Sequence, residues 1–319
     1  MYPSIKNLVF EGGGVLGTAY LGTLDYLEEA GLLASIDKVA GASSGAITAC
    51  LASFNMPFAE LKKVASTLDY KKIPQQEVKA IRTISTDFKK EFESLFGDIN
   101  CIYRLINSYG WYSTEYFYDW VKNVISTQFD KTKKKPPYTF EDFQDSDLHI
   151  NGIDFKDLYI IGTDISYKTS AVFSYETTPK MEVAKAVRIS MSVPLFFESI
   201  EMDKNIFIDG GVMRNYPINI FDYEGINYQT LGIQFINKIK YSGINNIIDY
   251  TNNLFNTLLK VQEDIYNNDY INQSRSITIN TGGISALDFN ITASDYQFLY
   301  KQGYDATADY FESRNSFTY

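Results

Sequence analysis

Two glycines bracket a serine in a place where serine could act as a nucleophile. Gly41-Ala42-Ser43-Ser44-Gly45 follows the apolar stretch that begins at Ile36 and leads into helix-forming residues from Ala46. This is the pattern of a nucleophile elbow, in which the serine sits on a strained strand-to-helix turn and the flanking glycines, here Gly41 and Gly45, allow the tight backbone. The helix beyond would start beneath Ser43 and aim its positive end at any charge developing there. Small-residue turns are common, so a five-residue match takes its meaning from partners elsewhere.

A second glycine cluster comes earlier. Gly12-Gly13-Gly14-Val15-Leu16-Gly17 satisfies G-x-G-x-x-G between a strand-like and a helix-like stretch, the form of a dinucleotide fingerprint. The ribose-binding acid of that motif belongs at the far end of the second strand, whereas Asp37 stands at its beginning. Glu11 would also set a carboxylate against a pyrophosphate, and Thr18 lacks the preceding lysine of a phosphate loop. Successive glycine N–H groups at a helix start serve equally well as an anion-binding concavity. Acyl transfer from serine generates such an anion, and strands of a parallel sheet open on one edge, so the loop and Ser43 can converge. The oxyanion reading is the stronger one.

The proton of Ser43 needs an acceptor. The chain contains a single histidine, His149, in the polar and strand-like stretch Asp147–Asn151, where a surface or structural role is the ordinary outcome. Asp209 is the better base. It ends a short strand at Ile206–Ile208 and precedes Gly210-Gly211, which let the chain turn and leave the carboxylate accessible. An ordinary Asp-Gly turn is the plain alternative. Asp164, also at a strand end, is the second choice.

These residues need a scaffold, and the patterning supplies one. Asn7–Phe10 reads as a buried strand, Val15–Glu29 as a helix closed by Gly31, and the elbow brings the next strand and helix. Such a βαβα start predicts a mainly parallel sheet covered on both faces. Further helices are expected from Phe58 to about Leu68, from a cap at Ser113 through Val124, over Glu182–Ser190, Ile244–Tyr266 and Ser294–Phe311. Strands are expected at Leu158–Asp164, Ala171–Tyr175, Leu231–Ile236 and Ser276–Ile279. Residues 71–143 read as a mainly helical insertion. Within it, 87–96 has aromatics four apart, as a packed amphipathic helix or a lipid-touching cover would. Lys131–Pro137 is a basic, proline-terminated loop of the kind that is usually just solvated. No linker-like stretch divides the 319 residues, which predicts one domain.

Composition narrows the class. With 45% hydrophobic and 21% charged residues the chain is ordinarily globular, and a net charge of −10 argues against nucleic acid as partner. Two cysteines, Cys50 and Cys101, form no disulfide framework, and no metal-ligand cluster stands out. No apolar run approaches the ~20 residues of a spanning helix. The expectation is a cytoplasmic protein acting peripherally at membranes, with export by a specialised secretion route left open.

Taken in order, Gly12–Gly17, Gly41–Gly45 and Asp209-Gly210-Gly211 resemble the three signature blocks of the patatin-like phospholipases. Arg188–Phe197 resembles the segment ahead of that family's aspartate, and the likeness continues to Ile279–Ile284 and beyond. The resemblance implies a three-layer α/β/α sandwich and a Ser-Asp dyad without catalytic histidine. Ser43 would be nucleophile, Asp209 base, and the amides of Gly12, Gly13 and Gly14 the oxyanion donors. It implies hydrolysis of fatty-acyl esters of glycerophospholipids through an acyl-serine, with no cofactor and no metal. Membrane phospholipids or other acyl lipids would be the partners, and an activating protein is left open. Acyl transfer or neutral-lipid hydrolysis by the same dyad, or a weakened lipid-binding or regulatory protein, are the alternatives. One departure is Leu16, where the family usually carries Arg or Lys; it bears on oxyanion stabilisation and headgroup preference.

Overall fold

The computed structural model describes residues 4–74, 99–236, 241–267 and 269–315. Its centre is β1 (Asn7–Phe10), buried at every position, as a strand covered on both faces must be. On one side β1 pairs in parallel with β2 (Lys38–Ala42), and β2 with β4 (Asp157–Asp164). On the other side it pairs in parallel with β9 (Thr230–Ile236), followed by β10 (Ser276–Asn280). Beyond β4 the sheet turns antiparallel: β5 (Thr169–Phe173) and β8 (Asn205–Asp209) both pair with β4, and β7 (Ile200–Met202) with β8. The result is an eight-stranded sheet. A separate two-stranded sheet joins β3 (Gly110–Tyr112) to β6 (Leu195–Phe197).

Helices cover both faces. The larger core packs α1 (Ala19–Glu29), α2 (Ser44–Ser53), α3 (Phe58–Ala65), α5 (Glu115–Ser126), α6 (Val183–Ser190) and α10 (Ala293–Asn315) against one face. Leu8, Phe10, Val39, Ile160 and Ile233 point into it from the strands. The opposite face carries Val9, Ala40, Tyr159 and Ile161, buried beneath Tyr216, Ile218 and Phe221, with Tyr266 of α8 (Ile247–Asn267) packed alongside. Each fully buried aliphatic side chain contributes on the order of 1.5–3 kcal/mol. The alternation of neighbours between the two cores is the period-2 signature of a sheet. The expected α/β/α sandwich with a mainly parallel sheet is therefore what this chain forms.

Within 71–143, α4 (Ile99–Ser108) and α5 are helical, while the aromatic run 87–96 lies outside the described residues. Two local expectations change. The N-cap of α5 is Thr114, not Ser113, although the Ser113 hydroxyl still accepts the Glu115 N–H at 3.2 Å. Residues around His149 form short 3₁₀ turns, not a strand. Asp145 accepts the Asp147 N–H, and Asn151 and Gly152 adopt φ of 59° and 63°, which ends any extended run.

Candidate active site

The elbow is built by close approach. Ser43, between β2 and α2, has φ 50° and ψ −124°, a sparsely populated conformation for a non-glycine residue. Gly41 and Gly45 make it possible through space: a Cβ on Gly41 would strike the Gly45 backbone, and one on Gly45 would strike the Phe10 carbonyl. The strain is held from outside. Ser190, at the end of α6, accepts the Ser43 N–H at 2.8 Å and donates its hydroxyl proton to the Ile161 carbonyl of β4 at 2.6 Å. Ser43 is 4% exposed, and its hydroxyl contacts Met191 Sδ at 3.8 Å.

The glycine loop arrives from the neighbouring strand. A Cβ on Gly12 would lie 3.0 Å from Ser43 Cβ, so loop and elbow touch, as two parallel strands with adjacent C-terminal ends require. The three amides differ. Gly12 N–H donates to Asn215 O at 3.0 Å, and Gly13 N–H to Ser44 Oγ at 3.0 Å. Among the described residues no acceptor is paired with the N–H of Gly14 or of Ser44, the first residue of α2. Gly14 has φ +54° and its Cα packs on the Ala286 carbonyl, so only glycine fits. Leu16 is buried in the larger core.

Asp209 ends β8 and is fully buried. Its N–H donates to Ser192 O at 2.8 Å, and its carbonyl accepts the Thr163 hydroxyl at 2.9 Å. Oδ1 accepts the Gly211 N–H at 2.6 Å, while Oδ2 is a buried atom with no hydrogen-bond partner among the described residues. Burial pushes this carboxyl up to about 7, against the lowering pull of Gly211 N–H and of the Ser43 hydroxyl. The Ser43 effect reports proximity, since the hydroxyl forms its contact with Met191 rather than a bond to Oδ2. A carboxyl titrating near neutrality with an open lone pair beside a serine can accept that serine's proton.

Other candidates fall elsewhere. Asp164 caps the turn after β4: Oδ1 accepts the N–H groups of Ser166 and Tyr167 at 2.9 and 3.0 Å, and Oδ2 accepts Asn205 Nδ2 at 3.2 Å. His149 is buried, stacked on Phe155 at 3.6 Å, with Nδ1 at 2.7 Å from Ile153 O and Nε2 at 2.9 Å from Asp142 O. Its ring is a core element, each nitrogen facing a backbone carbonyl. Asp37 pairs with Lys6 ahead of β2, away from the glycine loop's end of the sheet. Cys50 is buried in α2, its thiol pushed up to about 12 by burial, which makes it a small apolar side chain. Among the described residues no group of three or more potential ligands could hold a metal ion, and no helix is long and apolar enough to cross a membrane.

Sequence patterns missed the residues that hold this site together. Ser190 and Met191 lie in a segment marked only by its position before Asp209, and nothing local indicates that they reach Ser43. Asn215 and Glu11 are buried in one network with Gln262, visible only once β1, β9 and α8 are assembled. The Ser44 N–H, one residue past Ser43, is the one omission the elbow pattern itself could have supplied.

The chain belongs to the patatin-like phospholipase family, whose model matches residues 8–222. That membership makes it a hydrolase of lipid esters by class. An uncharacterized protein, R571, of Acanthamoeba polyphaga mimivirus is 27% identical over 313 residues, spanning 94% of this chain and 91% of the relative. A probable lipid hydrolase, 463L, of Invertebrate iridescent virus 6 is 29% identical over 218 residues, 67% of this chain and 62% of the relative. Among solved structures, VipD from Legionella pneumophila shares the fold with a TM-score of 0.63 at 19% identity, over 98% of this chain and 67% of VipD. The type III effector ExoU gives a TM-score of 0.52 at 18% identity, and this chain spans about half of it, 53%.

Proposed function

We propose that this protein is a phospholipase A-type acyl hydrolase that cleaves fatty-acyl esters of glycerophospholipids through a Ser43–Asp209 dyad. One observation carries the reading: a strained elbow serine lies beside a fully buried aspartate whose Oδ2 has no hydrogen-bond partner among the described residues. Asp209 takes the Ser43 proton as Oγ bonds to the ester carbonyl carbon. The tetrahedral intermediate collapses with cleavage of the bond to the glycerol oxygen, which receives the proton from Asp209. Water then attacks the acyl-serine, giving its proton to Asp209, and the fatty acid leaves as Ser43 Oγ is reprotonated.

The oxyanion falls to backbone dipoles. Gly12 N–H is spent on Asn215, so Gly13, Gly14 and Ser44 are the donors in reach of this scheme. Gly13 would exchange the Ser44 hydroxyl for the oxyanion, a stronger acceptor. With Leu16 in the core, no side-chain cation at that position supplements them. Each donor in such a hole contributes roughly 10²–10³ in kcat.

A fluorophosphonate probe followed by peptide mapping tests the nucleophile. Stoichiometric modification at Ser43, abolished in Ser43→Ala, is the expected result. Labelling that persists in Ser43→Ala, or maps to another serine, would sink the mechanism.

A further inference from the structure

Asn215 lies where the three parts of the candidate site meet. It follows α7 (Gly211–Arg214), the short turn of helix after Asp209, and is buried. Its contact with Gly12 runs both ways. The Gly12 N–H donates to the Asn215 backbone carbonyl at 3.0 Å, and Asn215 Nδ2 donates to the Gly12 carbonyl at 3.1 Å. Gly12 in turn is the loop residue that touches Ser43. On its other side Asn215 Oδ1 packs 2.7 Å from where a Cβ on Gly211 would stand, and Gly211 is the residue whose N–H holds Asp209 Oδ1.

Asn215 is itself fastened from two further elements. Glu11 Oε1 accepts Asn215 Nδ2 at 3.1 Å, while Glu11 Oε2 accepts the Phe235 N–H of β9 at 2.7 Å. Gln262 of α8 accepts the Asn215 N–H at 2.8 Å and donates to the carbonyls of Gly211 and Val212 at 2.7 and 3.2 Å. The Asn215 N–H, carbonyl and Nδ2 are all paired within this network, which ties the residue to the glycine loop, β9 and α8 at once.

From this geometry we propose that Asn215, oriented by Glu11, is a positioning residue that locks the glycine loop at Gly12 in register with Ser43 and Asp209. The inference rests on the reading of Ser43 and Asp209 as the dyad. Gly12 gives up its own N–H as the anchor, and the amides after it are thereby aimed. A misplacement of such donors by about 1 Å is enough to cost on the order of 10²-fold in rate. Asn215→Asp is the sharp test because it preserves volume but replaces the donor with an acceptor facing both Glu11 and the Gly12 carbonyl. Glu11→Gln in that background offers an N–H₂ back to Asp at 215 while keeping an oxygen for Phe235 N–H.

The experiment is steady-state kinetics on a water-soluble short-chain p-nitrophenyl ester, with rates normalised to folded protein by thermal melts and circular dichroism. Wild type, Ser43→Ala, Asn215→Asp, Glu11→Gln and the double variant are compared. Asn215→Asp is expected to lower kcat by about 10²-fold with KM within threefold, and adding Glu11→Gln to restore kcat at least fivefold. A merely structural role would lower the folded fraction without this kcat-selective loss and rescue. Folded Asn215→Asp turning over within threefold of wild type, or a loss that tracks unfolding alone, overturns the proposal. If Asn215→Asp does not fold, Glu11→Gln alone decides: a kcat within threefold of wild type overturns the proposal. Full activity in Ser43→Ala, or none in wild type, would instead strike the dyad reading beneath it.

Discussion

At the scale of single residues, the site pairs a strained serine with a carboxyl kept near neutrality by burial. Two consequences are measurable. Because the base must be ionised, kcat/KM should rise with pH through about 7, the value to which burial brings Asp209. A pH–rate profile without a limb in that region would remove Asp209 from the role. His149→Ala, by contrast, should leave turnover per folded molecule within about twofold of wild type, because the ring packs on Phe155 with its nitrogens against backbone carbonyls, away from the site. It should still lower stability by roughly 2–4 kcal/mol, as loss of a buried ring does, which urea unfolding would register. Ser43 and Asp209 could be proposed from the sequence because a strand-end serine and aspartate stand out through the glycines beside them. Asn215 had no such flag: its partners Glu11 and Gln262 lie far from it in the chain, and only folding brings them together.

At the scale of elements, the elbow depends on a helix that contributes no reacting group. Ser190 closes α6 against both the Ser43 N–H and the Ile161 carbonyl, bracing β2 and β4 at their C-terminal ends. Ser190→Ala would leave the buried Ser43 amide unpaired, a cost of about 1–3 kcal/mol, and loosen the strained φ of that residue. The expected outcome is a Tm lowered by several degrees together with a kcat reduced about tenfold, seen by calorimetry and ester kinetics on the same preparation. Wild-type kcat in a destabilised Ser190→Ala would show that the brace serves the fold alone. Periodicity found the long elements well: the helix expected at Ile244–Tyr266 is Ile247–Asn267, and the strand expected at Leu231–Ile236 gains only Thr230. It missed β3, β6 and β7, since three residues carry no measurable alternation, and β3 pairs with β6 across more than eighty residues of chain. The antiparallel pairing beyond β4 comes from β5 and β8, both expected as strands, with the unforeseen β7 added at the edge.

At the scale of the whole molecule, the fold carries its site at a cost in stability that depends on pH. Asp209 and Glu11 are buried carboxyls raised to about 7 and about 8. In Glu11 burial dominates, with the Phe235 N–H and Asn215 opposing it and Glu263 adding to it. Both groups bind protons more tightly folded than unfolded, so their contribution to stability is fully present below about pH 4, falls as pH rises and is lost once pH has passed through 7 to 8. Asp209→Asn should therefore raise the unfolding free energy relative to wild type at pH 8.5, by a few kcal/mol at most and seen as a higher Tm, and change it little near pH 4. Equal effects at both pH values would show that the carboxyl is not held neutral by the fold. The sandwich was foreseeable from the βαβα opening, and the parallel order places the glycine loop and Ser43 side by side at one edge. Fatty-acid release from phosphatidylcholine vesicles by wild type, Ser43→Ala, Asp209→Asn and His149→Ala tests the account most directly. It predicts losses of at least ~10³-fold in the first two variants and near-wild-type turnover per folded molecule in the third. Undiminished release by folded Ser43→Ala or Asp209→Asn would contradict it.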